Sequence, residues 1–270
     1  MPTAAEHVPE PRTAPPSLRQ RRRAVAVQEI VDAAERHLAE HGPAALSLRA
    51  VARDLGMTVQ ALYHYFPSRN ALVTVLITKG YDDLTEAVRA AVDAVAGDTA
   101  PGDSVAVVTA TGDTAVLPRF VVAALGYRQW AVDHPERFQL LYGTPLRSYE
   151  APAEGPTTQA TRRMGALFQN ELFAGRTTAQ LAAAGPFTLS PPLRSHLERL
   201  SPQGPDALPP AAASLFLSAW GHLHGLVTLE VFGHTAFIGS HQAEIFQTSM
   251  LTMLEDIHHR IPGPAGPTGR

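Results

Sequence analysis

Two short helical patterns joined at a single glycine constrain the fold of this chain more than any other feature of its sequence. The first pattern follows Ser47, a favourable N-cap residue, and places Val51 and Ala52 on its inner face. Gly56 then stands where the chain has to turn through a left-handed conformation, which glycine adopts without a Cβ clash. Thr58 can cap the second pattern. The sequence therefore predicts two short helices that cross at a steep angle.

The second of these helices carries side chains that a protein core does not need. Two short helices with glycine in the joint form a helix-turn-helix, whose second helix is shaped to enter the major groove of DNA. Residues 1–80 hold ten Arg and Lys against seven Asp and Glu, whereas the rest of the chain has a net charge of −6. The positive part is therefore suited to an acidic partner. The outward-facing residues of the second helix are Val59, Gln60, Tyr63 and His64.

Helical periodicity also covers most of the remaining chain. Apolar residues recur at helical spacing from Val27 to Leu38, and His41-Gly42-Pro43 ends this first predicted helix. A long connecting helix is predicted to begin at about Ser68. The segment from Gly102 to Val116 fits either a small hairpin or an ordered loop. Further helices are predicted over residues 119–133, 135–142, 157–173, 211–232 and 242–261.

Composition and missing motifs exclude several classes of function. The 270 residues include no cysteine, which excludes disulfides, cysteine-ligated zinc and thiol catalysis and fits a cytoplasmic protein. Residues 211–233 could span a bilayer by length, but they contain Glu230 and two histidines and lack flanking cations, so we expect a buried or interface helix. His222 and His224 lie about 200° apart on a helix and cannot bind one metal together. Since catalytic spacings are also missing, we expect no metal, no cofactor and no enzymatic activity.

The helix-turn-helix block carries a family resemblance in its run of aromatic residues. Residues Ala61 to Leu72 read Ala-Leu-Tyr-His-Tyr-Phe-Pro-Ser-Arg-Asn-Ala-Leu, and with the preceding helix this block resembles the TetR family of bacterial transcription regulators. The resemblance implies that the second helix recognises DNA, with the Gln60 amide reading a base and neighbouring residues contacting phosphates. The DNA-binding residues implied in this way are Arg22, Ser47, Thr58, Val59, Gln60, Tyr63, His64 and Arg69.

Some residues of this region also fit a structural role without DNA contact. Tyr65 and Phe66 fit core aromatic residues better than DNA contacts. The arginine run from Arg19 to Arg23 precedes the first predicted helix, where it fits a solvated face or a contact with DNA phosphates or the minor groove. Val59-Gln60 departs from the small pair that family members often have here, so the operator sequence cannot be transferred.

The second half of the chain resembles, through looser signatures, the effector domain called WHG in part of the same family. The carrying segments are Tyr127 to Trp130, His134 to Phe138 with Leu140 to Gly143, and Trp220 to Gly225. The resemblance implies a pocket for a small molecule, although aromatic residues of this kind are also ordinary core residues. Because the expected lining has no cluster of Arg or Lys, the effector is expected to be neutral or weakly cationic and largely apolar. That lining is Tyr127, Trp130, Phe138, Phe168, Trp220 and His224.

We therefore expect an all-α homodimer that binds palindromic double-stranded DNA as a repressor and is released by its effector. A three-helix DNA-binding domain is predicted over residues 19–67, and a connecting helix with a ligand-binding and dimerisation domain over 68–261. Residues 1–18 are expected to form a disordered leader and 262–270 a flexible tail. The alternatives are a DNA-binding regulator without an effector and an all-α enzyme that has kept a helix-turn-helix. No membrane association is expected.

Overall fold

The computed structural model describes most of the chain as helices in two compact units. The first unit is formed by residues 1–76 and the second by residues 77–270. The expected leader falls largely on residues 1–16, which lie outside the described part, as do residues 264–270 of the expected tail. The described residues are 17–96, 100, 103–108, 114–143, 149, 154–185, 188–200 and 207–263.

The first unit contains the predicted helix-turn-helix and a longer first helix than the sequence indicated. The Ser17 side chain and the Gln20 side chain form a reciprocal capping box, and this cap starts the helix at Leu18, well before Val27. The arginine run expected to precede the helix therefore belongs to its first two turns. The helices that begin in this unit are α1 (Leu18–His41), α2 (Leu48–Asp54), α3 (Val59–Tyr63) and α4 (Arg69–Ala96).

The core of the first unit forms where α1 packs on α2 and α2 packs on α3. Ile30 and Leu38 of α1, Val51 of α2 and Leu62 of α3 are all buried. A polar contact adds to this packing, because the buried His37 Nδ1 lies 2.9 Å from an Asp54 carboxylate oxygen.

A two-stranded hairpin follows α4 in the second unit. Strands β1 (Ser104–Val108) and β2 (Thr114–Pro118) pair antiparallel. Of the two conformations that the sequence allowed for Gly102 to Val116, the structure has the hairpin. Val105 and Leu117 face each other across the pair and are buried, so the hairpin rests on the helices through this side.

Seven further α-helices belong to the described part of the second unit. Helix α5 is central, since it packs against α7, α10 and α11 and is buried over most of its surface. Two short helices, α8 and α9, were not predicted, because both are short and lie among the Gly- and Pro-rich breaks of this part of the sequence. The helices are α5 (Arg119–Asp133), α6 (Pro135–Tyr142), α7 (Pro156–Phe173), α8 (Thr178–Ala182), α9 (Pro191–Leu200), α10 (Pro210–Val231) and α11 (Gln242–His259).

The described residues lack two features that would point to other functions. None of their helices is long and apolar enough to cross a membrane. No group of three or more His, Asp or Glu side chains among them is arranged to hold a metal ion.

Candidate functional sites

The predicted turn of the helix-turn-helix is present in detail. The Ser47 hydroxyl accepts a hydrogen bond of 3.1 Å from the Ala50 amide and caps α2. Gly56 has φ of 64°, which confirms the left-handed joint. The Thr58 hydroxyl accepts a 3.1 Å bond from the Ala61 amide and caps α3. These local contacts set the direction in which α3 leaves the turn.

One face of α3 points to solvent. Leu62 is fully buried, whereas Tyr63 is 46% exposed. Thr58, Gln60 and His64 are also exposed. Leu62 is thus inward and Gln60, Tyr63 and His64 are outward, as predicted, whereas Val59 is half-buried. The outward side offers an amide, hydroxyls and an imidazole to an approaching molecule.

Two neighbouring arginines of α1 have different contacts. The Arg23 guanidinium lies 5.4 Å from the centre of the Tyr65 ring and donates a 3.2 Å hydrogen bond to the His64 carbonyl. Arg22 is exposed and, with Arg19, lines a cleft of about 760 Å³ between the first turns of α1 and the end of α3. Arg23 therefore fixes the end of α3, while Arg22 stays accessible.

Arg69 has a structural contact that its predicted role did not include. Its Nε donates a 2.9 Å hydrogen bond to the Leu46 carbonyl, which joins the start of α4 to the residue before the Ser47 cap. Phe66 is buried, as predicted for a core aromatic residue.

The second unit contains a cluster of aromatic side chains around His224 of α10. Tyr127 of α5 is fully buried, and its hydroxyl lies 2.8 Å from His224 Nδ1. The Trp220 ring stacks parallel to the imidazole at 5.7 Å. Phe138 lies 5.6 Å from the same imidazole, and Phe168 contacts both Tyr127 and Trp220. The structure thus brings together five of the six residues expected to line a pocket.

Trp130 is the one residue of the expected lining that lies outside the aromatic cluster. It stacks on His134 at 5.2 Å and makes no ring contact with the cluster among the described residues. Tyr142, which belongs to a segment of the family resemblance but was not among the expected lining residues, lies 4.4 Å from His224 between ring centres. The signal for Tyr142 was its position four residues after Phe138 on a predicted helix, since this spacing puts both on one face.

The cluster is electrically neutral near pH 7. Burial lowers the pKa of His224 below its ordinary value and raises the pKa of Tyr127 and Tyr142. The second imidazole nitrogen, Nε2, lies 3.3 Å from the Thr228 hydroxyl. Both nitrogens of His224 therefore have neutral hydrogen-bond partners in the protein.

Nearby charges are held in largely buried ion pairs. Arg128 of α5 forms two hydrogen bonds with the Glu230 carboxylate of α10. Arg119 and Glu171 pair in the same way between α5 and α7, with contacts of 3.0 to 3.3 Å. These pairs hold α5 against its neighbours and leave the aromatic cluster without a free charge from either arginine.

The fold and the exposed recognition helix define a helix-turn-helix DNA-binding protein with a separate helical domain. Residues 30–76 match the family model for bacterial regulatory proteins of the tetR family. Residues 120–253 match the model for a tetracyclin repressor-like C-terminal domain. The chain belongs to the TetR family of transcriptional regulators.

Similar proteins agree with this assignment. The chain is 34% identical over 209 residues to the HTH-type transcriptional regulators Rv1816 of Mycobacterium tuberculosis and Mb1846 of Mycobacterium bovis, covering 76% of this chain and 80% of each relative. The crystal structure of SCO4313, named as a regulatory protein, matches with a TM-score of 0.63 and 28% identity over 88% of this chain and 100% of that one. A Rhodococcus sp. RHA1 protein of unknown function, at 22% identity and a TM-score of 0.57, covers 86% of this chain and 94% of its own and shows the same fold.

Proposed function

We propose that this protein is a ligand-responsive repressor that binds a palindromic operator as a homodimer and leaves it when a small apolar molecule binds. The observation that carries the proposal is that one chain contains both an exposed polar face on α3 and a buried, neutral aromatic cluster in the second unit. The first is suited to a DNA groove and the second to an uncharged ligand.

The DNA interface in this proposal centres on Gln60. Its exposed amide can form two hydrogen bonds with adenine, whereas the side chains beside it suit phosphate oxygens. Arg22 supplies charge from α1, and the N-terminal amides of α2 at Ser47 can face a phosphate. The proposed DNA contacts are Arg22, Ser47, Thr58, Val59, Gln60, Tyr63, His64 and Arg69.

The effector site in this proposal is the aromatic cluster. Because Tyr127, Phe138 and Phe168 are fully buried and uncharged, a multiply anionic molecule would lose its hydration there without gaining partners. A neutral or weakly cationic molecule with one or two polar atoms is favoured. Since both nitrogens of His224 are already hydrogen-bonded, such a molecule has to replace Tyr127 or Thr228 to bond with the imidazole.

The proposed dimer forms through the last two helices. Leu217 and Leu229 of α10 are 57% and 43% exposed in the single chain. A Cβ added at Gly221 or Gly225, between those leucines, would meet no atom of the described chain within 4 Å. Glycine costs up to about 1 kcal/mol within a helix, and small residues allow a second helix to approach closely. A second copy of α10 and α11 would cover this face in a four-helix interface.

In this proposal, binding of the small molecule and release of DNA are coupled through helix α4. A molecule bound in the second unit shifts the connecting helix α4, and the two recognition helices of the dimer then no longer fit successive major grooves. A coupling free energy of about 1–3 kcal/mol changes DNA affinity roughly 5–150-fold.

The experiment that tests this function is selection of random duplex DNA by the purified protein. We expect an inverted repeat whose half-sites lie about 34–36 Å apart, or a multiple of that distance. Thermal unfolding in the presence of a library of uncharged metabolites then identifies effectors, and their effect on the selected duplex is measured. Selection without an inverted repeat would contradict the dimeric repressor. Specific DNA binding that no stabilising compound changes would favour a regulator without an effector.

A further inference from the structure

The connection between α10 and α11 holds one phenylalanine almost entirely in solvent. Phe237 is 87% exposed, more than any other large apolar side chain that the structure describes. It belongs to the 3₁₀ segment Ala236–His241, which joins the two helices. Single exposed apolar residues are common on protein surfaces, so exposure by itself assigns no task to Phe237.

The backbone that carries Phe237 is fixed by hydrogen bonds. Gly233 has φ of 77°, which turns the chain at the end of α10. The Thr235 carbonyl accepts a 3.0 Å bond from the Ile238 amide and a 3.1 Å bond from the Gln242 side chain. An aromatic side chain on a backbone that is already ordered loses little further entropy on binding, which favours it as an interface anchor.

Other exposed apolar side chains lie next to this connection. Phe232 directly follows α10 and is 39% exposed, and Ile245 in the first turn of α11 is 45% exposed. Leu229 and Phe232 are three residues apart and share one side of the chain as it leaves α10. These residues continue the exposed face of α10, to which the proposed function assigns the dimer, as far as the segment with Phe237.

The exposed face of α10 has the same order of residues in both directions from the level of Leu223. Leu217 and Leu229 each lie six residues from it, and Gly221 and Gly225 each lie two residues from it. In a two-fold interface, a residue that contacts a second residue of the other copy is matched by the reverse contact. This order therefore fits an α10 that packs antiparallel on its own copy, with Leu217 against Leu229 of the partner subunit.

Antiparallel packing places the end of each α10 beside the start of the other. At about 1.5 Å per residue, the helix extends about 12 Å from Leu223 to Val231 and about 20 Å back to Pro210. The connection after Val231, which carries Phe237, then lies beside the first turns of the second copy of the helix.

A cleft of about 500 Å³ opens at the start of α10. Phe173, Leu181 and Pro209 give it apolar walls, and the first two of these side chains are buried. Arg176 also lines the cleft, and a guanidinium group is attracted to the face of an aromatic ring. The cleft thus offers a phenyl ring both apolar contacts and a cation.

We propose that Phe237 anchors the homodimer by entering this cleft on the other copy, so that each subunit receives the partner's Phe237. The proposal rests on the proposed function, because it takes the dimer through α10 and α11 as given. It adds a contact outside the four-helix interface and assigns an occupant to the cleft.

The first test measures the dimer dissociation constant of the full-length Phe237→Ala protein by analytical ultracentrifugation. We expect it to rise at least about 30-fold, as for the loss of an interface anchor. The control is Val116→Ala, which removes a side chain that is 69% exposed on the hairpin and should leave the constant unchanged. Circular dichroism confirms that each variant is folded. A wild-type constant for Phe237→Ala would overturn the proposal.

The second test asks whether the cleft receives the phenyl ring. Ala207 lines the cleft, so Ala207→Trp should fill it and weaken the dimer as Phe237→Ala does. Because both changes remove the same contact, the double variant should dimerise no more weakly than the weaker of the two single variants. A double variant that shows the product of two separate losses would refute the proposal, as would an Ala207→Trp protein that dimerises like wild type.

Cross-linking tests the contact directly, because the chain has no cysteine of its own. A protein with both Phe237→Cys and Ala207→Cys, treated with a short bismaleimide, should run as a covalent dimer on a denaturing gel. Neither single variant should do so, since antiparallel packing keeps the two copies of each position apart. A double variant that is dimeric in the ultracentrifuge but does not cross-link would overturn the proposal alone. A wild-type protein that stays monomeric would contradict the dimer of the proposed function and the anchor with it.

Discussion

At the scale of single residues, Glu230 of the second unit is a largely buried, paired charge, whereas Arg22 of the first unit is an exposed one. Glu230 is the one formal charge in an otherwise apolar stretch of sequence from 211 to 233, and the structure explains it by two hydrogen bonds from the Arg128 guanidinium. A largely buried carboxylate is tolerated only when paired in this way. In the first unit, by contrast, Arg22 is exposed and available to an anionic partner.

Gln60→Ala should weaken discrimination at one base pair in each half-site by about 1–3 kcal/mol, because the amide is the group that reads a base edge. Competition between the selected duplex and single-base variants measures this loss. Arg22→Ala is the matched comparison, since a phosphate contact should weaken binding to all sequences alike and reduce the salt dependence. If Arg22→Ala lost base discrimination and Gln60→Ala weakened binding to all sequences alike, the assigned roles would be wrong.

Stability should fall as the pH drops below about 6.5, and His224 should be one cause. Burial lowers the pKa of His224 in the folded state, so the unfolded chain binds a proton more readily. Stability from this group is present above its ordinary pKa and is lost as pH falls. Urea unfolding between pH 8 and pH 5 measures the trend in wild type and in His224→Gln, which cannot titrate. A variant with the same slope as wild type would show that His258, whose pKa is also lowered by burial, or other groups carry the effect.

At the scale of elements, α10 has two faces with different tasks. One face places Leu223 and Val227 in the core of the second unit, while Trp220 and His224 contribute to the aromatic cluster. The outer face carries the exposed Leu217 and Leu229. A Cβ added at Gly221 or Gly225 beside them would meet no atom of the described chain within 4 Å. The inner face accounts for part of the apolar character of this helix, and the proposed dimer interface would account for the rest.

Leu217→Lys should convert the dimer into a monomer, since a buried ammonium at the proposed interface would lack a partner. Leu193→Lys on α9 is the control, because Leu193 is 44% exposed but lies on a different helix from the proposed interface. Analytical ultracentrifugation of both variants gives the association state. A Leu217→Lys protein that remains dimeric at the wild-type concentration range would place the interface elsewhere.

At the scale of the whole molecule, the proposed function requires that ligand binding in one unit alters the DNA contacts of the other. The chain supplies one continuous element for this purpose, since α4 begins in the helix-turn-helix unit and ends in the second. Its residues Asp82 and Asp83 pair with Arg163 of α7 and Arg137 of α6. The second half of α4 is thus held by the helices that surround the aromatic cluster.

Trp220→Ala should weaken the response to effector while leaving DNA affinity without effector near that of wild type. The indole contacts the rings of His224 and Tyr127 in the second unit, whereas the proposed DNA contacts belong to the first unit. Fluorescence anisotropy with the selected duplex, with and without compounds that stabilise wild type, measures both quantities. Loss of DNA binding without effector in a folded Trp220→Ala protein would contradict this separation.

The sequence by itself determined the features that depend on neighbours along the chain. Ser47, Gly56 and Thr58 act on groups within about four residues, so the turn and the exposed face of α3 could be predicted from local pattern. The tertiary structure alone decided which distant side chains meet. Tyr127 and His224 are 97 residues apart and Arg128 and Glu230 are 102 apart. Such pairs form only when α5 packs on α10, and local periodicity holds no information about which helices pack together. For the same reason the sequence analysis included Trp130 in the expected lining and left Tyr142 out of it, because helical spacing shows which residues share a face but not what that face contacts.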